Sequence, residues 1–462
     1  MSRILLISAN TATDPYPVYP LGMLVVAEGL RMAGHEVRQF DMLASGSEVA
    51  LASLVDDFAP HFAGLSLRNV DNVDSLSANE HWQLDAARHL TRQLINLGLI
   101  VIVGGAGFSL LPEEILSYLG AHYGVVGEGE AKMVRLISML EAGERPPRIM
   151  GPEQTLSEPC IRSPHHDRFL MRYYLDASGI IGVQTKRGCE NHCAYCSYPV
   201  LEGSLIRCRE PKDVADELAI LRNDHGVKMV FFTDSVFNDR KGQHLLLAAE
   251  IIRRNLDIAW AAYFRPSGMS RDELRLLKRS GLKAIEAGTD ASTEETLRAL
   301  RKPFTMDDVV DFHRLCVSER VPCAHYVIFG GPGENIHTVR QGIDNLNALD
   351  KAVVFPFSGI RLHRNTALYD RALLEGIIAP DAPLLRPVFY FSPDVQPEEM
   401  NATLAQGFAG RRDRIFPPSE AQARMQVMRS FGYRGLLWDT LINFNTVAPT
   451  KTPIAREEAT TT

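Results

Sequence analysis

The sequence predicts an α/β protein in three parts: a doubly wound parallel sheet, a partial (β/α)6 barrel, and a small, mostly helical C-terminal region. Three observations carry that expectation. Short apolar runs alternate with stretches of helical spacing through residue 145. A proline-rich break follows. A second alternating series of six strand–helix units then extends to residue 370.

In the first series, strands are expected at Ile4–Ser8, Val37–Phe40, Phe62–Leu67, Leu99–Val103 and Tyr123–Val126. Leu21–Ala33 and Glu80–Leu97 carry apolar residues at helical spacing. Five strands with crossover helices give a flavodoxin-like or Rossmann-like sheet. Pro146, Pro147, Pro152, Pro159 and Pro164 make 146–175 a linker. The barrel, 176–370, takes strands at Ile180–Thr185, Met229–Thr233, Ile258–Tyr263, Ala284–Gly288, Ala324–Phe329 and Val353–Phe357. Helices such as Asp213–Asn223, Gly242–Asn255 and Arg271–Ser280 follow them. In 371–462, Glu398–Arg411 and Glu420–Leu441 read as helices, and Ala455–Thr462 as a disordered tail.

Composition limits the function classes. The chain has 462 residues, 45% of them hydrophobic, and a net charge of −7. That is core enough for two or three domains, with no basic excess to suggest a nucleic-acid partner. The opening apolar run is too short for a signal peptide, and no run spans a bilayer, so a cytoplasmic location is expected. Seven cysteines, an odd number in a long chain, argue against a disulfide framework and for metal or redox work.

Three of them form the chemical signal. The loop after the first barrel strand reads Lys186-Arg187-Gly188-Cys189-Glu190-Asn191-His192-Cys193-Ala194-Tyr195-Cys196, a C-x3-C-x2-C spacing. Three thiolates hold three irons of a [4Fe–4S] cubane and leave the fourth open. A structural zinc site with His192 as the fourth ligand is the competing reading, but His192 directly precedes Cys193, which makes joint ligation awkward. Cys208, Cys316 and Cys323 have no ligand spacing and read as buried structural thiols.

The cysteine motif resembles that of the radical S-adenosylmethionine (SAM) superfamily. The resemblance implies that SAM chelates the open iron and is cleaved to a 5′-deoxyadenosyl radical. It also implies SAM contacts. Tyr195 stands where the superfamily places an aromatic near the adenine. Asp234 and Ser235 end the second barrel strand, although the usual Gly-Gly-Glu is absent. Glu286 is suited to a ribose diol. Asp290 is either a SAM contact or a helix cap near Ser292. Gly330 and Gly331, ending the fifth strand, would admit the adenine close to the backbone.

The crevice at the C-terminal strand ends of the first sheet is expected to be lined by Asn10 and Thr11, by Ser66, Leu67, Arg68 and Asn69, by Gly104, Gly105 and Ala106, and by Gly127, Glu128 and Gly129. Its paired glycines and the Gly-Glu-Gly-Glu run, ahead of C-x3-C-x2-C, resemble the cobalamin-binding class of radical SAM enzymes. Tyr198-Pro199, Glu202-Gly203, Arg207 and Phe232–Asn238 strengthen the likeness. No Asp-x-His-x-x-Gly motif is present, which implies cobalamin bound without a protein histidine. Arg68 or Asn69 would then face the lower side of cobalt; the other reading is that Arg68 anchors a propionamide or an acidic neighbour.

The resemblance implies methyl transfer to an unactivated carbon of a small molecule, such as a natural-product or lipid intermediate. Radical rearrangement, cyclisation or oxidation with the same cofactors is the alternative, and a cobalamin or redox sensor a third. An electron donor such as flavodoxin or ferredoxin is the expected partner. Segments Arg361–Thr366 and Phe389–Phe391 are candidates for the substrate pocket. No residue stands out as a general base.

Overall fold

The structure is a computed structural model that describes residues 1–14, 16–77, 82–151 and 161–444. The start of the expected helix Glu80–Leu97, together with Pro152, Pro159, Cys160 and the tail Ala455–Thr462, lies outside the described residues.

The first sheet consists of β1 (Arg3–Ser8), β2 (Glu36–Asp41), β3 (Phe62–Ser66), β4 (Ile100–Gly104), β5 (Tyr123–Val125) and β6 (Ile149–Met150). Its order is β2-β1-β3-β4-β5-β6, all parallel. Strands such as Ile-Val-Ile-Val are apolar throughout because helices cover both faces of the sheet. The chain reverses direction of winding between β1 and β3. Ser8 pairs with Ser66, Ser66 with Gly104, and Gly104 with Val125. This register aligns the strand ends, so the loops after them open on one crevice.

The sixth strand was not expected. Ile149–Met150 falls within the segment read as a linker, and so does most of the helix Arg168–Ala177, which Asp167 caps through the Leu170 amide. Val126 N–H donates to Met150 O at 3.1 Å. The segment 146–175 therefore contributes to the sheet and leads into the barrel, despite its prolines.

The second sheet holds β7 (Ile181–Val183), β8 (Met229–Phe232), β9 (Ala259–Phe264), β10 (Leu282–Asp290), β11 (Cys323–Phe329) and β12 (Ala352–Ser358). They are parallel and in sequence order, as a partial (β/α)6 barrel requires. Helices Pro211–His225, Gln243–Arg253, Arg271–Arg279, Met306–Ser318 and Ile336–Asn347 pack outside. Alternate residues turn inward: Phe231, Ala261, Ala284, Ala324, Val353 and Phe355 form one cluster.

The C-terminal region is not only helical. Ile360–Arg361 and Phe389–Tyr390 form an antiparallel ladder, and helices Pro397–Gly407 and Ser419–Ser430 follow. The expected helix Glu420–Leu441 breaks after Ser430, and Leu436, Leu437 and Trp438 join the inner barrel cluster instead. The two sheets share a core in which Tyr19 and Met23 pack with Tyr174, Ile181 and Phe232. Arg361, buried, pairs with Asp71 of the N-terminal domain at 3.1 Å.

Candidate active site

The cysteine loop is built on glycine and charge. Gly188 has φ +87°, and a Cβ there would stand 2.1 Å from Leu205 O, so only glycine fits before Cys189. Cys189 N–H donates to Gly203 O (3.1 Å), and Cys196 N–H to Cys193 O (3.2 Å). Ala194 N–H reaches Leu300 O at 2.9 Å, which pins the loop to the fourth barrel unit. A short ladder, Lys186–Arg187 against Arg207–Cys208, forms its base.

Burial pushes the thiols of Cys193 and Cys196 up, Cys196 to about 12. Iron binding must therefore displace the protons. Lys302 lies beside Cys193 and pulls its thiol back down. Burial disfavours the charge on Lys302, but Asp290 and Cys193 outweigh it and raise its pKa. His192 is exposed, which leaves the zinc alternative without its fourth ligand.

The expected SAM contacts separate into two groups. Asp290, at φ +60°, pairs with Lys302 and hydrogen-bonds Tyr195, so both residues stand next to Cys193 and Cys196. The helix-cap reading of Asp290 fails: Thr293 caps Glu294–Ala299 through the Thr296 amide. Glu286 is buried in the barrel interior, where it accepts from Trp438 Nε1 at 3.1 Å and from Tyr326. Burial raises its pKa to about 7 against those hydrogen bonds.

The other expected SAM residues make structural contacts. Asp234 is fully buried. Its carboxylate accepts from Thr185 N (2.7 Å), Lys186 N (3.1 Å) and Thr185 Oγ1, and so anchors the start of the cysteine loop. Ser235 Oγ donates to Gly188 O at 3.0 Å, a bracing contact of the same kind. At Gly330 and Gly331 the missing side chains make room for Phe391 and Ile360, which Cβ atoms would meet at 2.9 and 3.1 Å.

The crevice is a cavity of about 670 Å³. Asn10, Ser66, Leu67, Arg68, Asn69, Gly104, Gly105, Ala106, Gly127, Glu128 and Gly129 line it as expected. Thr11 does not; it is exposed and donates to Gln83. Gly105 has φ +102°, and a Cβ would stand 2.4 Å from Leu67 O, so the β3 and β4 loops touch only because the side chain is absent. Asn10 Nδ2 and Arg68 Nε are buried in this lining without a hydrogen-bond partner. They suit a ligand with polar edges such as the amide-fringed corrin ring. No carboxylate pairs with Arg68 among the described residues. Burial lowers its pKa, and tyrosines 263, 16, 174 and 198 surround it.

The cavity is shared with the barrel. Gln184, Arg187, Ser197, Tyr198, Leu201, Glu202 and Thr233 close it from the cysteine-loop side, and Arg361 and His363 from the C-terminal side. Tyr390 and Phe391, by contrast, are packing residues. An ion cluster joins the halves. Glu128 binds Arg187 (3.3 Å) and Arg207, and Glu130 binds Arg187 at 2.6 Å. Glu202 receives Gly188 N–H at 3.0 Å. Glu128 thus spends its carboxylate on the clamp, although it borders the cavity. Sequence reasoning missed Arg187 and Lys302; a Lys-Arg pair abutting a glycine–cysteine turn was the available signal for the first.

A profile of the Radical SAM superfamily matches residues 183–346, and one of the B12 binding domain matches 7–137. The chain is a radical SAM protein with a B12-binding domain. The cofactors of those two domains are a [4Fe–4S] cluster with SAM, and cobalamin. Among relatives, this radical SAM chain is 24% identical over 365 residues to an uncharacterized methyltransferase of Pyrococcus horikoshii, covering 74% of this chain and 77% of the other. It is 25% identical over 444 residues to tryptophan 2-C-methyltransferase of Streptomyces laurentii, covering 78% and 72%. Its fold is similar to that of the radical SAM methyltransferase TsrM from Kitasatospora setae, solved with cobalamin and a [4Fe–4S] cluster: TM-score 0.85 at 22% identity, covering 96% and 97% of the chains.

Proposed function

We propose that this chain is a cobalamin-dependent radical SAM C-methyltransferase acting on an unactivated carbon of a small molecule. The observation that carries the reading is the shared cavity: the B12-domain loops line one wall and the cysteine loop, through Ser197, Tyr198 and Leu201, lines the other. That the relatives named above are methyltransferases supports the same choice.

With both groups bound, the cluster and SAM supply hydrogen-atom abstraction, and cobalamin supplies a transferable methyl group. The chain's own residues fix and shield. Cys189, Cys193 and Cys196 hold the cluster, and Gly188 and Glu202 set their loop. Arg187, between Glu128 and Glu130, holds that loop at a constant distance from the cobalamin crevice. Asn10 and Arg68 would offer hydrogen bonds to cobalamin's rim, and Arg68 or Asn69 would be the protein groups set toward its metal. Tyr195 and Asp290 would border SAM, and Glu286, among Tyr263, Tyr326 and Trp438, faces the barrel lumen and would meet SAM or substrate there. Hydrogen-atom abstraction needs no general base. A reduced carrier such as flavodoxin or ferredoxin in the cytoplasm would supply electrons. Among the described residues no helix is long and apolar enough to cross a membrane.

The test is product analysis of the reconstituted enzyme with SAM, a reductant and candidate substrates. Methylation forms S-adenosylhomocysteine and 5′-deoxyadenosine with a methylated product. 5′-Deoxyadenosine with a rearranged product and no S-adenosylhomocysteine would overturn the reading.

A further inference from the structure

Four residues away from the cluster also have ligand chemistry. The sequence His313-x2-Cys316-x6-Cys323-x-His325 spans one helix and the strand after it. On helix Met306–Ser318, His313 and Cys316 are three apart and share a face. On β11, Cys323 and His325 are two apart and share a face. Ala324, between them, belongs to the inner barrel cluster, so Cys323 and His325 point outward, toward the helix.

The two faces meet in a closed pocket. The ligand atoms of His313, Cys323 and His325 lie within 4.8 Å of one another. His313 Nδ1 is 3.0 Å from His325 Nε2, and Cys323 Sγ is 3.5 Å from the same nitrogen. The Cys316 thiol stands beside that of Cys323. None of the four is more than 2% exposed.

The outer shell is oriented as well. His313 Nε2–H donates to Asp350 O at 2.7 Å; a carbonyl only accepts, so the Nδ1 lone pair must point inward. His325 Nδ1 rests on Thr289 Oγ1 at 2.8 Å, and the hydroxyl oxygen can accept from Nδ1–H, which leaves the Nε2 lone pair free. Imidazole ligands of metals are held by outer partners of this kind.

We propose that His313, Cys316, Cys323 and His325 form a second metal site, for a tetrahedral transition-metal ion, with zinc(II) the best match. Bonds of ~2.0 Å to nitrogen and ~2.3 Å to sulfur make tetrahedron edges of roughly 3.3–3.8 Å, within reach of small ring rotations from the separations of His313, Cys323 and His325, with the Cys316 thiol beside Cys323 as the fourth donor. Two thiolates balance the dication, so the filled site adds no net charge near the buried Arg414. The site staples helix to strand at the start of β11, away from the strand ends that carry the cluster loop. The alternative use of the same atoms is a metal-free hydrogen-bond relay from Thr289 through His325 and His313 to Asp350.

The experiment counts zinc and iron together in the anaerobically purified holoenzyme, expressed with zinc and dialysed against EDTA. About one zinc per chain is expected alongside the cluster iron, and the same zinc in the C189A/C193A/C196A chain. Replacing zinc by cobalt(II) in that chain should give thiolate-to-cobalt charge-transfer absorption and intense tetrahedral d–d bands. H325Q/C323S should lose the zinc and keep the cluster iron. A folded holoenzyme without zinc overturns the proposal in favour of the relay. So does zinc retained by H325Q/C323S, or a cobalt spectrum without thiolate bands.

Discussion

Glu286→Gln should stabilise the cofactor-free chain at alkaline pH. Glu286 is buried, and burial raises its pKa from 4.5 to about 7. Between those values the unfolded chain releases the proton while the folded chain keeps it. The unfolded state then binds fewer protons, so stability falls as pH rises through the window. A gap from 4.5 to about 7 corresponds to about 3 kcal/mol, of which roughly 2.5 falls between pH 5 and pH 8. Glutamine cannot ionise and still offers an acceptor to Trp438 Nε1–H and the Tyr326 hydroxyl. The assay is urea unfolding of both chains at about pH 5 and about pH 8. Glu334 has a similarly raised pKa, from burial, but is present in both chains and cancels in the difference. Wild type should lose about 2.5 kcal/mol more than E286Q across that interval. Parallel pH profiles would refute the argument, because they would mean that Glu286 is either solvated or paired with a cation.

Other outcomes follow from the clamp and the loop turns. Arg187→Met leaves Glu130 without its guanidinium while Glu128 keeps Arg207; a loss of about 3–5 kcal/mol in urea unfolding is expected, and an unchanged midpoint would contradict it. Gly188→Ala puts a Cβ 2.1 Å from Leu205 O, so iron content after reconstitution should drop sharply while cobalamin binding, followed by absorbance titration, persists. Gly105→Ala, 2.4 Å from Leu67 O, should do the reverse and weaken cobalamin binding with the iron content kept.

The elements legible in the sequence were those with strong local signals. Runs such as Ile-Val-Ile-Val and the C-x3-C-x2-C loop declare themselves within a few residues. β6 did not, because two residues among prolines carry no periodicity; only pairing with β5 makes them a strand. The helix Arg168–Ala177 had a signal, an Asp167 cap, that the surrounding prolines obscured. For the site, residue type was a good guide to proximity and a poor guide to direction. Asp234 lies at a strand end, as expected of a ligand group, yet its oxygens go to Thr185 and Lys186, partners 49 and 48 residues away in sequence. Gly330 and Gly331 read as a cradle, but Phe391 and Ile360 fill the space. Lys302 lies beyond a helix from Asp290, so the pair beside Cys193 exists only in three dimensions. Cys316 and Cys323 looked unconnected until helix and strand brought two histidines between them.

The central claim is that one chain holds a cluster on Cys189, Cys193 and Cys196 and a cobalamin in the adjoining cavity. Metal analysis after anaerobic, cobalamin-fed expression tests it directly. Wild type should contain cobalt and iron at about one to four, apart from any zinc. The C189A/C193A/C196A chain should keep the cobalt, lose the iron and form no 5′-deoxyadenosine. Iron retained by the triple variant, or wild type without cobalt, would contradict the account.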